Sequence, residues 1–568
     1  KIPTMMEQVL GERYGTYEHT FGFQPITGIH LDPDVPVGIE PTSDPAYSYI
    51  LGAIALFVLL IAAINFITLS IGRSADRAME VGVRKAIGAD RRQVMLQFWG
   101  EAVLLTALAL GFGVLLAGVC LPLFNTLADR DLRLAFDAGT VLSVLGLGGV
   151  IALAAGIYPA AVLSGFRPVE VLKGQLRMRG DRSLLRRGLV VVQFALSIFL
   201  IAGTLLMQRQ LDFLQTKNLG FDKEQVVVIP TGVPVEEGEV LAERFRNALA
   251  GHGAVAGMTV SAFPLDGGWM NVGYTTDQDV YRTFNVNLVD PDFLETMGIE
   301  VVAGRGFSRD TPSDERSALI INEAMVQEYG WTEPLGQRLP GRNFPDHEII
   351  GVVADFNYES LRNAVEPAAL VLSFDVLRPG IENVGMASSP RRDLSVRIRP
   401  DDIPGTLALL EQTWATVAPN QDFDFYFLDE AVDNQYQQEA RLGRIVGIAS
   451  LLAIVIACLG LFGLAALAVV RRTKEIGVRK VMGASVHGIV LLLSKEFTKL
   501  VLVAFVIAAP AAYFAQHRWL ADFAYRVEIS WRIFLVAGVA ALGIAMLTVS
   551  YQAFRAALAD PVKSLRYE

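Results

Sequence analysis

Apolar and polar positions are sharply segregated along this 568-residue chain. Seven apolar stretches are each long enough to cross a bilayer as a helix, which takes about 20 residues. They lie at Tyr49–Ile71, Phe98–Leu121, Thr140–Leu163, Leu189–Met207, Ile445–Val470, Phe497–Ala515 and Ile533–Tyr551. Charged residues are almost absent inside them and gather at their ends, which argues against the buried core helices of a water-soluble protein. Between Arg209 and Ala440 the pattern shortens. "QVVVIP" (Gln225–Pro230), "ALIIN" (Ala318–Asn322), "EIIGVVADF" (Glu348–Phe356) and "LSVRIRP" (Leu394–Pro400) read as strands. "EVLAERFRNALAG" (Glu239–Gly251) and "GTLALLEQTWATV" (Gly405–Val417) have helical spacing. The middle segment is expected to be a mixed α/β domain.

The polar segments between the spans set an orientation. Arg73–Arg92 carries six Lys/Arg against three acids, Phe166–Arg187 seven against two, and Arg471–Lys480 five against one. By the positive-inside rule these loops and the tail from Arg555 face the cytoplasm. The loop Asp129–Asp137, the segment Lys1–Asp44 and the acidic middle segment, with 17 Lys/Arg against 37 Asp/Glu, then face outside. The net charge of -10 comes chiefly from that outer part and argues against a nucleic-acid partner. The chain opens at Lys1 within a polar segment, so a natural N-terminus is expected upstream.

One pattern occurs twice. "EVGVRKAIGA" (Glu80–Ala89) and "EIGVRKVMGA" (Glu475–Ala484) lie 395 positions apart, and Ile50–Lys85 aligns without a gap to Ile445–Lys480. Each copy is followed by two apolar spans and a related exit, at Pro168–Val169 and Pro561–Val562. Two halves of like orientation imply a pseudo-symmetry axis along the membrane normal. Each copy reads as a short amphipathic helix, with Glu80 and Arg84 or Glu475 and Arg479 at i, i+4, and Gly88 or Gly483 as its end; Met79, Val83 and Ile87 share one apolar face, which the counterparts Lys474, Val478 and Met482 repeat only in part. Two readings fit: a basic helix lying on anionic lipid, or a dock for a cytoplasmic partner. Neither charge nor lipid binding requires Gly82–Val83–Arg84 followed by Gly88–Ala89 in both copies, which favours the dock. A duplicated dock implies two copies of the partner, or a two-fold partner.

Composition agrees with a membrane protein: 52% hydrophobic, 19% charged, mean hydropathy +0.39. Cys120 and Cys458 both fall in apolar spans, so no disulfide framework is expected. The chain contains no G-x-x-x-x-G-K-[ST] loop, no H-E-x-x-H and no G-x-S-x-G, and its six His are scattered. A catalytic role is therefore not expected, and His347 and the others read as surface or packing residues. Asn65 and Gln193 read as interhelical hydrogen-bonding groups, Gly148, Ala152 and Gly156 as a stripe of close helix approach, and Pro122, Pro159 and Pro510 as helix ends or kinks. "GGWM" (Gly267–Met270) is either a loop touching a hydrophobic cargo or ordinary packing.

The repeated segment resembles the coupling helix of the FtsX-like/MacB-like ABC permease family, also called type VII or mechanotransmission permeases. "LVDPDFLETMGIEVVAGRGFSRD" from Leu288, "ALIINEAMVQEYGWTEPLGQRL" from Ala318 and "IIGVVADFNYESLR" from Ile349 resemble the MacB-like periplasmic core domain, and "FGFQPITGIHLDP" from Phe21 the closing part of a first such domain. The resemblance implies an α-helical membrane protein of duplicated four-helix units lacking its first span. Its parts would be a remnant of the first periplasmic domain (1–45), a first membrane unit (46–187), an opening helix (188–208), a periplasmic domain with stalk (209–440) and a second unit (441–568). It implies a non-catalytic permease in a bacterial inner membrane. Two copies of a cytoplasmic ABC ATPase, binding ATP and Mg, would dock through Glu80, Gly82, Arg84, Lys85 and Gly88, with Glu475, Gly477, Arg479, Lys480 and Gly483. "LDEAVDNQYQQEARLGR" from Leu428 would be a helical stalk entering the membrane at Ile445. Export of an antimicrobial, peptide or lipoprotein is expected, with a periplasmic adaptor as a further partner. The rival is a signalling scaffold acting on a periplasmic cell-wall hydrolase without transport.

Overall fold

The computed structural model describes residues 25–26, 29, 45–74, 77–164, 181–385 and 390–558. Nearly all of segment 1–45, most of the basic loop Phe166–Arg187 and the exits at Pro168–Val169 and Pro561–Val562 lie outside the described residues.

Long helices frame the chain: α1 (Pro45–Ser74), α3 (Arg91–Ala128), α4 (Ala138–Ser164) and α5 (Asp181–Thr216) before the α/β domain, with the short α2 (Ala78–Ala86) between α1 and α3. After that domain come α8 (Gln437–Arg471), α10 (Val486–Leu520) and α11 (Trp531–Leu558), with the short α9 (Thr473–Val481) between α8 and α10. Among the described residues five helices are long and apolar enough to cross a membrane, namely α1, α3, α5, α8 and α11. The other two expected spans are also helical. The apolar run of α4 that can be followed is Ala138–Ala154, and α10 carries Lys495, Glu496 and Lys499 near its start. Pro122, Pro159 and Pro510 all lie inside helices rather than at their ends.

Helices α5, α8, α10 and α11 pack as a four-helix bundle. Its seam reads off the sequence at every fourth position. On α5 it is Val190, Phe194, Ile198, Ala202 and Leu206; on α10, Ala504, Ala508 and Ala512; on α11, Ala537, Ala541, Ala545 and Val549. The alanines let backbones approach closely, which is how helices pack where lipid removes the hydrophobic drive. Helices α3 and α4 pair separately, with Gly148 facing Leu110 and Gly156 facing Trp99 and Ala102, as the small-residue stripe foretold.

Helix α1 crosses α8 through glycines. A Cβ at Gly460 would run into Asn65 Oδ1, and one at Gly72 would lie 2.5 Å from Leu467 Cδ1. Asn65 Nδ2 donates to Ile456 O (3.4 Å). Positions 65 and 460, and 72 and 467, are the same pairs that the repeat aligns at offset 395. Each therefore touches its own counterpart, the arrangement that residues on a two-fold axis must have.

The α/β domain has two lobes. In the first, β1 (Val226–Ile229), β2 (Val255–Ser261), β10 (Asp393–Ile398) and β11 (Tyr426–Phe427) form an antiparallel sheet in the order β11-β1-β10-β2. Helices α6 (Val235–Leu249) and α7 (Ile403–Val417) pack with it, and Phe245 meets Trp414 edge-on at 5.7 Å. The second lobe holds a seven-stranded sheet, β5-β7-β6-β8-β4-β3-β9. Its strands are β3 (Met270–Thr275), β4 (Tyr281–Leu288), β5 (Val301–Gly304), β6 (Ala318–Asn322), β7 (Glu348–Val353), β8 (Ala368–Val371) and β9 (Asn383–Gly385). Every residue of β1, β6 and β8 is buried, which is why these strands read as unbroken apolar runs. Trp269 is 3% exposed and stacks on Tyr358 at 4.2 Å, so "GGWM" is packing and not a cargo contact. The stretch from Leu428, expected as a helical stalk, is helical in two pieces. A short helix, Leu428–Asn434, ends before the buried Tyr436, and α8 starts afresh at Gln437.

Candidate functional site

The repeated ten residues fold into α2 and α9, nine residues each, in equivalent settings. Helix α2 contacts α4 and α9 contacts α11, the matching neighbour in the other half.

Both helices end the same way. Gly88 (φ 107°) and Gly483 (φ 88°) take the left-handed region. The Gly88 N–H donates to Lys85 O (3.1 Å) and the Ala89 N–H to Arg84 O (3.0 Å); Gly483 and Ala484 repeat this to Lys480 O (3.1 Å) and Arg479 O (2.9 Å). This is a Schellman ending, which favours glycine at that position. Capped starts follow. Asp90 and Gln93 form a capping box on α3, and Ser485 Oγ accepts from the Gly488 N–H (3.2 Å) on α10. The recurrence of Gly–Ala thus has a backbone cause. It does not by itself indicate a dock, so the Gly–Ala recurrence drops out of the case for one.

One apolar residue anchors each helix. Val81 is buried with Val94 and packs near Phe98; Ile476 is buried with Ile489 and Leu493. These six are three equivalent pairs at offset 395. The apolar face read from the sequence stays exposed. Val83 is 41% and Ile87 82% exposed, and their counterparts Val478 and Met482 are 49% and 82% exposed. Residues 81 and 83 lie about 200° apart around a helix, so burying Val81 turns Val83 outward.

Charge completes the match. Arg84 Nη2 lies 2.7 Å from Glu80 Oε1, and Arg479 Nη2 lies 2.8 Å from Glu475 Oε1. Exposed pairs of this kind contribute about 0.3–0.5 kcal/mol, too little to explain their recurrence as a stabilising device. A second pair ties each short helix to the next long one: Arg77 to Glu101, and Arg472 to Glu496 at 3.0 Å. Glu101 and Glu496 also recur at offset 395, so this pair too is marked in the sequence. Lys85 and Lys480 are half-buried and Gly477 is buried. The two helices therefore present the same surface twice: an exposed apolar pair beside an arginine that its own glutamate holds in place.

At the other end the long helices are locked to the α/β domain. Helix α8 is 35 residues, about 52 Å, well beyond a bilayer core of about 30 Å. Near its start the buried Glu439 pairs with Arg362 (2.6 Å), whose guanidinium also lies over the Phe523 ring (5.1 Å). Tyr436 OH accepts from the Leu361 N–H (2.9 Å), and Lys223 pairs with Asp433 (2.7 Å). On α5, Gln210 bridges the α10–α11 connection, donating to Tyr525 O and accepting from the Val527 N–H, each at 2.9 Å. Arg441 reaches Asp129 at the end of α3 (2.6 Å).

The model for the FtsX-like permease C-terminal region matches this chain twice, at residues 52–168 and 447–561, and the model for the MacB-like periplasmic core domain matches residues 195–412. The macrolide export ATP-binding/permease protein MacB of Bdellovibrio bacteriovorus is 30% identical over 148 residues, 25% of this chain and 21% of that protein. The pyoverdine export ATP-binding/permease protein PvdT of Pseudomonas fluorescens is 29% identical over 136 residues, 24% of this chain and 20% of that protein. The matched region spans about a fifth of the length of these relatives. The crystal structure of the periplasmic region of MacB from Actinobacillus actinomycetemcomitans is similar at 14% identity and a TM-score of 0.27, covering 38% of this chain and 94% of that one. With several membrane-capable helices and a periplasmic core domain, this is a multi-pass membrane protein with a periplasmic domain. The chain belongs to the FtsX-like/MacB-like, type VII permeases of ABC transporters.

Proposed function

We propose that this chain is the non-catalytic membrane subunit of an ABC-type exporter in a bacterial inner membrane. Its α2 and α9 each dock one copy of a cytoplasmic ATPase that binds ATP and Mg. The observation that carries this reading is the doubled surface, with Val83, Arg84 and Ile87 matching Val478, Arg479 and Met482 in type, exposure and setting. Glu80 and Glu475 hold the arginines, while Lys85 and Lys480 extend the positive edge. Gly88 and Gly483 end the helices in the left-handed region, and Gly82 and Gly477 belong to the same docking segment.

Seven spans would be present, with α4 and α10 joining the five, in two units (46–187 and 441–568) around an opening helix (188–208) and the periplasmic domain (209–440). The self-paired contacts of Asn65 with Gly460 and of Gly72 with Leu467 support a pseudo-two-fold axis along the membrane normal. ATP-driven closure of the motor would move α9, and α8 would carry that motion to the periplasm as a stiff rod, since only Arg472 separates the two helices. The locked junction at Glu439–Arg362 would pass it on to the lobes. Export is favoured because the relatives are named for macrolide and pyoverdine export.

The test is co-purification of a cytoplasmic ABC ATPase. Arg84→Glu with Arg479→Glu should abolish it while leaving membrane insertion intact. Adding Glu80→Arg and Glu475→Arg restores both internal ion pairs with reversed polarity and should not restore binding. Retention of the ATPase by the first variant, or its rescue by the second, would count against the assignment.

A further inference from the structure

The two lobes of the periplasmic domain meet at a cleft of about 260 Å³, somewhat below the roughly 300–1,000 Å³ of drug-sized sites. Helix α6 supplies Glu239, Glu243 and Arg246 to one side; the loops following β4 and β5 supply Asp290, Arg309 and Glu315 to the other. Most of its charges are matched within the cleft. Arg246 pairs with Asp290 and lies 3.5 Å from Glu243, and Arg309 reaches Asp292 at 2.7 Å and Asp290 at 3.5 Å. Burial pushes the Asp290 carboxyl up, and the Thr259 hydroxyl and Arg246 counter it.

Arg392, immediately before β10, is different. It lines the same cleft and is 4% exposed. Its Nη2 reaches Leu372 O only at 3.5 Å, and its Nε and Nη1 have no acceptor among the described residues. Burial lowers its pKa, with Glu239 and Asp290 opposing from a distance. A guanidinium does not give up its proton in a protein, and a buried charge without acceptors is costly. Its stem is packed closely against α6, where a Cβ on Gly238 would lie 2.6 Å from Arg392 Cβ. A held, charged, unsatisfied donor beside an open cleft is set up for an acceptor that arrives from outside.

We propose that this cleft binds a small monocarboxylate bearing an amine, of the size of an amino acid or dipeptide, with its carboxylate on Arg392. Charge selects the class. One guanidinium is unmatched, so one negative charge is required. A phosphate dianion would meet Glu239, Glu243, Asp290 and Glu315 with one cation too few. The exposed Glu239 and Glu315 at the rim suit an ammonium group. Because the cleft is walled by both lobes, an occupant joins them.

The full chain in detergent, titrated calorimetrically, tests this. The probes are a mixture of the natural L-amino acids, dialanine, acetate and inorganic phosphate. Saturable binding of the amine-bearing carboxylates is expected, weaker with acetate and absent with phosphate. Arg392→Met should weaken it at least about tenfold, a loss of about 1.4 kcal/mol, while Arg338→Met, paired with Asp346 outside the cleft, should not. If Arg392→Met fails to fold, Arg392→Lys keeps the charge but moves its donors and should also weaken binding. The proposal is overturned by no saturable binding of amine-bearing probes up to about 1 mM, by equal binding to the Arg392 variants, or by a preference for phosphate.

Discussion

The exposed apolar pair gives the sharpest quantitative prediction. Ile87 and Met482 are each 82% exposed, so nearly all of their transfer free energy is still available to a partner. Full burial of such a side chain is worth about 1.5–3 kcal/mol. If docking covers half to two-thirds of that surface, each residue supplies about 1–2 kcal/mol, or about five- to thirtyfold in affinity. Each helix docks its own copy of the ATPase, so the losses fall on two separate sites. In the double variant Ile87→Asn, Met482→Asn each site is then expected to bind the ATPase about five- to thirtyfold more weakly. The permease itself should be unaffected, because substitutions at exposed sites stay within about 0.5 kcal/mol, and the anchors Val81 and Ile476 are untouched. The assay is titration of labelled ATPase onto the permease in nanodiscs, with the permease's own thermal midpoint measured in parallel. Unchanged affinity would refute the argument, as would weakened affinity that tracks a lowered midpoint.

Gly460→Leu should loosen α1 from α8, since its side chain would run into Asn65 Oδ1 and approach Gln193 Nε2; a cost of about 1–3 kcal/mol is expected, whereas Gly443→Leu, with nothing within 4 Å, should be tolerated in the same detergent-stability assay. Asp314→Asn should destabilise the periplasmic domain by about 2 kcal/mol, because Asp314 is buried, accepts both Arg305 Nη1 (2.6 Å) and Nη2 (2.7 Å) and also the Ser308 N–H (3.1 Å). The Arg305 guanidinium holds the Asp314 carboxyl below its ordinary range, so this contribution is fully present above about pH 3.9 and is lost as pH falls through the folded value; the two proteins should converge in acid. His347 is buried, with Nε2 accepting from the Leu339 N–H (2.8 Å) and Nδ1 facing Pro345 O (2.8 Å), and burial pushes its pKa down. Its neutral form stabilises the fold above about pH 6.5, and that contribution fades as pH drops below it; chemical unfolding of wild type from pH 7 to pH 5 should show the decline, and His347→Gln should flatten it.

Much of this was legible from the chain. The strands of the α/β domain announced themselves because β1, β6 and β8 are buried throughout and so carry unbroken apolar runs. Gly88 and Gly483 marked helix ends because a left-handed residue is needed there. What stayed hidden has physical reasons. Helix α2 has apolar residues on two faces, and periodicity alone does not say whether Val81 or the Val83–Ile87 side meets the next helix; the contact with Val94 decides. The stalk break at Gln435–Tyr436 shows no Pro or Gly, because tertiary packing of Tyr436, not local propensity, ends the helix. Trp269 looked like a loop residue but fills the second lobe's core beside Tyr358. Arg392 is one of two adjacent arginines in sequence, and only the fold shows that it is the buried one while Arg391 is exposed.

The most direct measurement is site-specific cross-linking in inside-out membrane vesicles. On a background with Cys120→Ser and Cys458→Ser, single cysteines replace Ile87 and, separately, Met482, and a membrane-impermeant bifunctional reagent is added with the ATPase. The account predicts that both positions couple to the ATPase and that neither is labelled in intact cells. Labelling from the periplasmic side, or coupling at neither position, would contradict it.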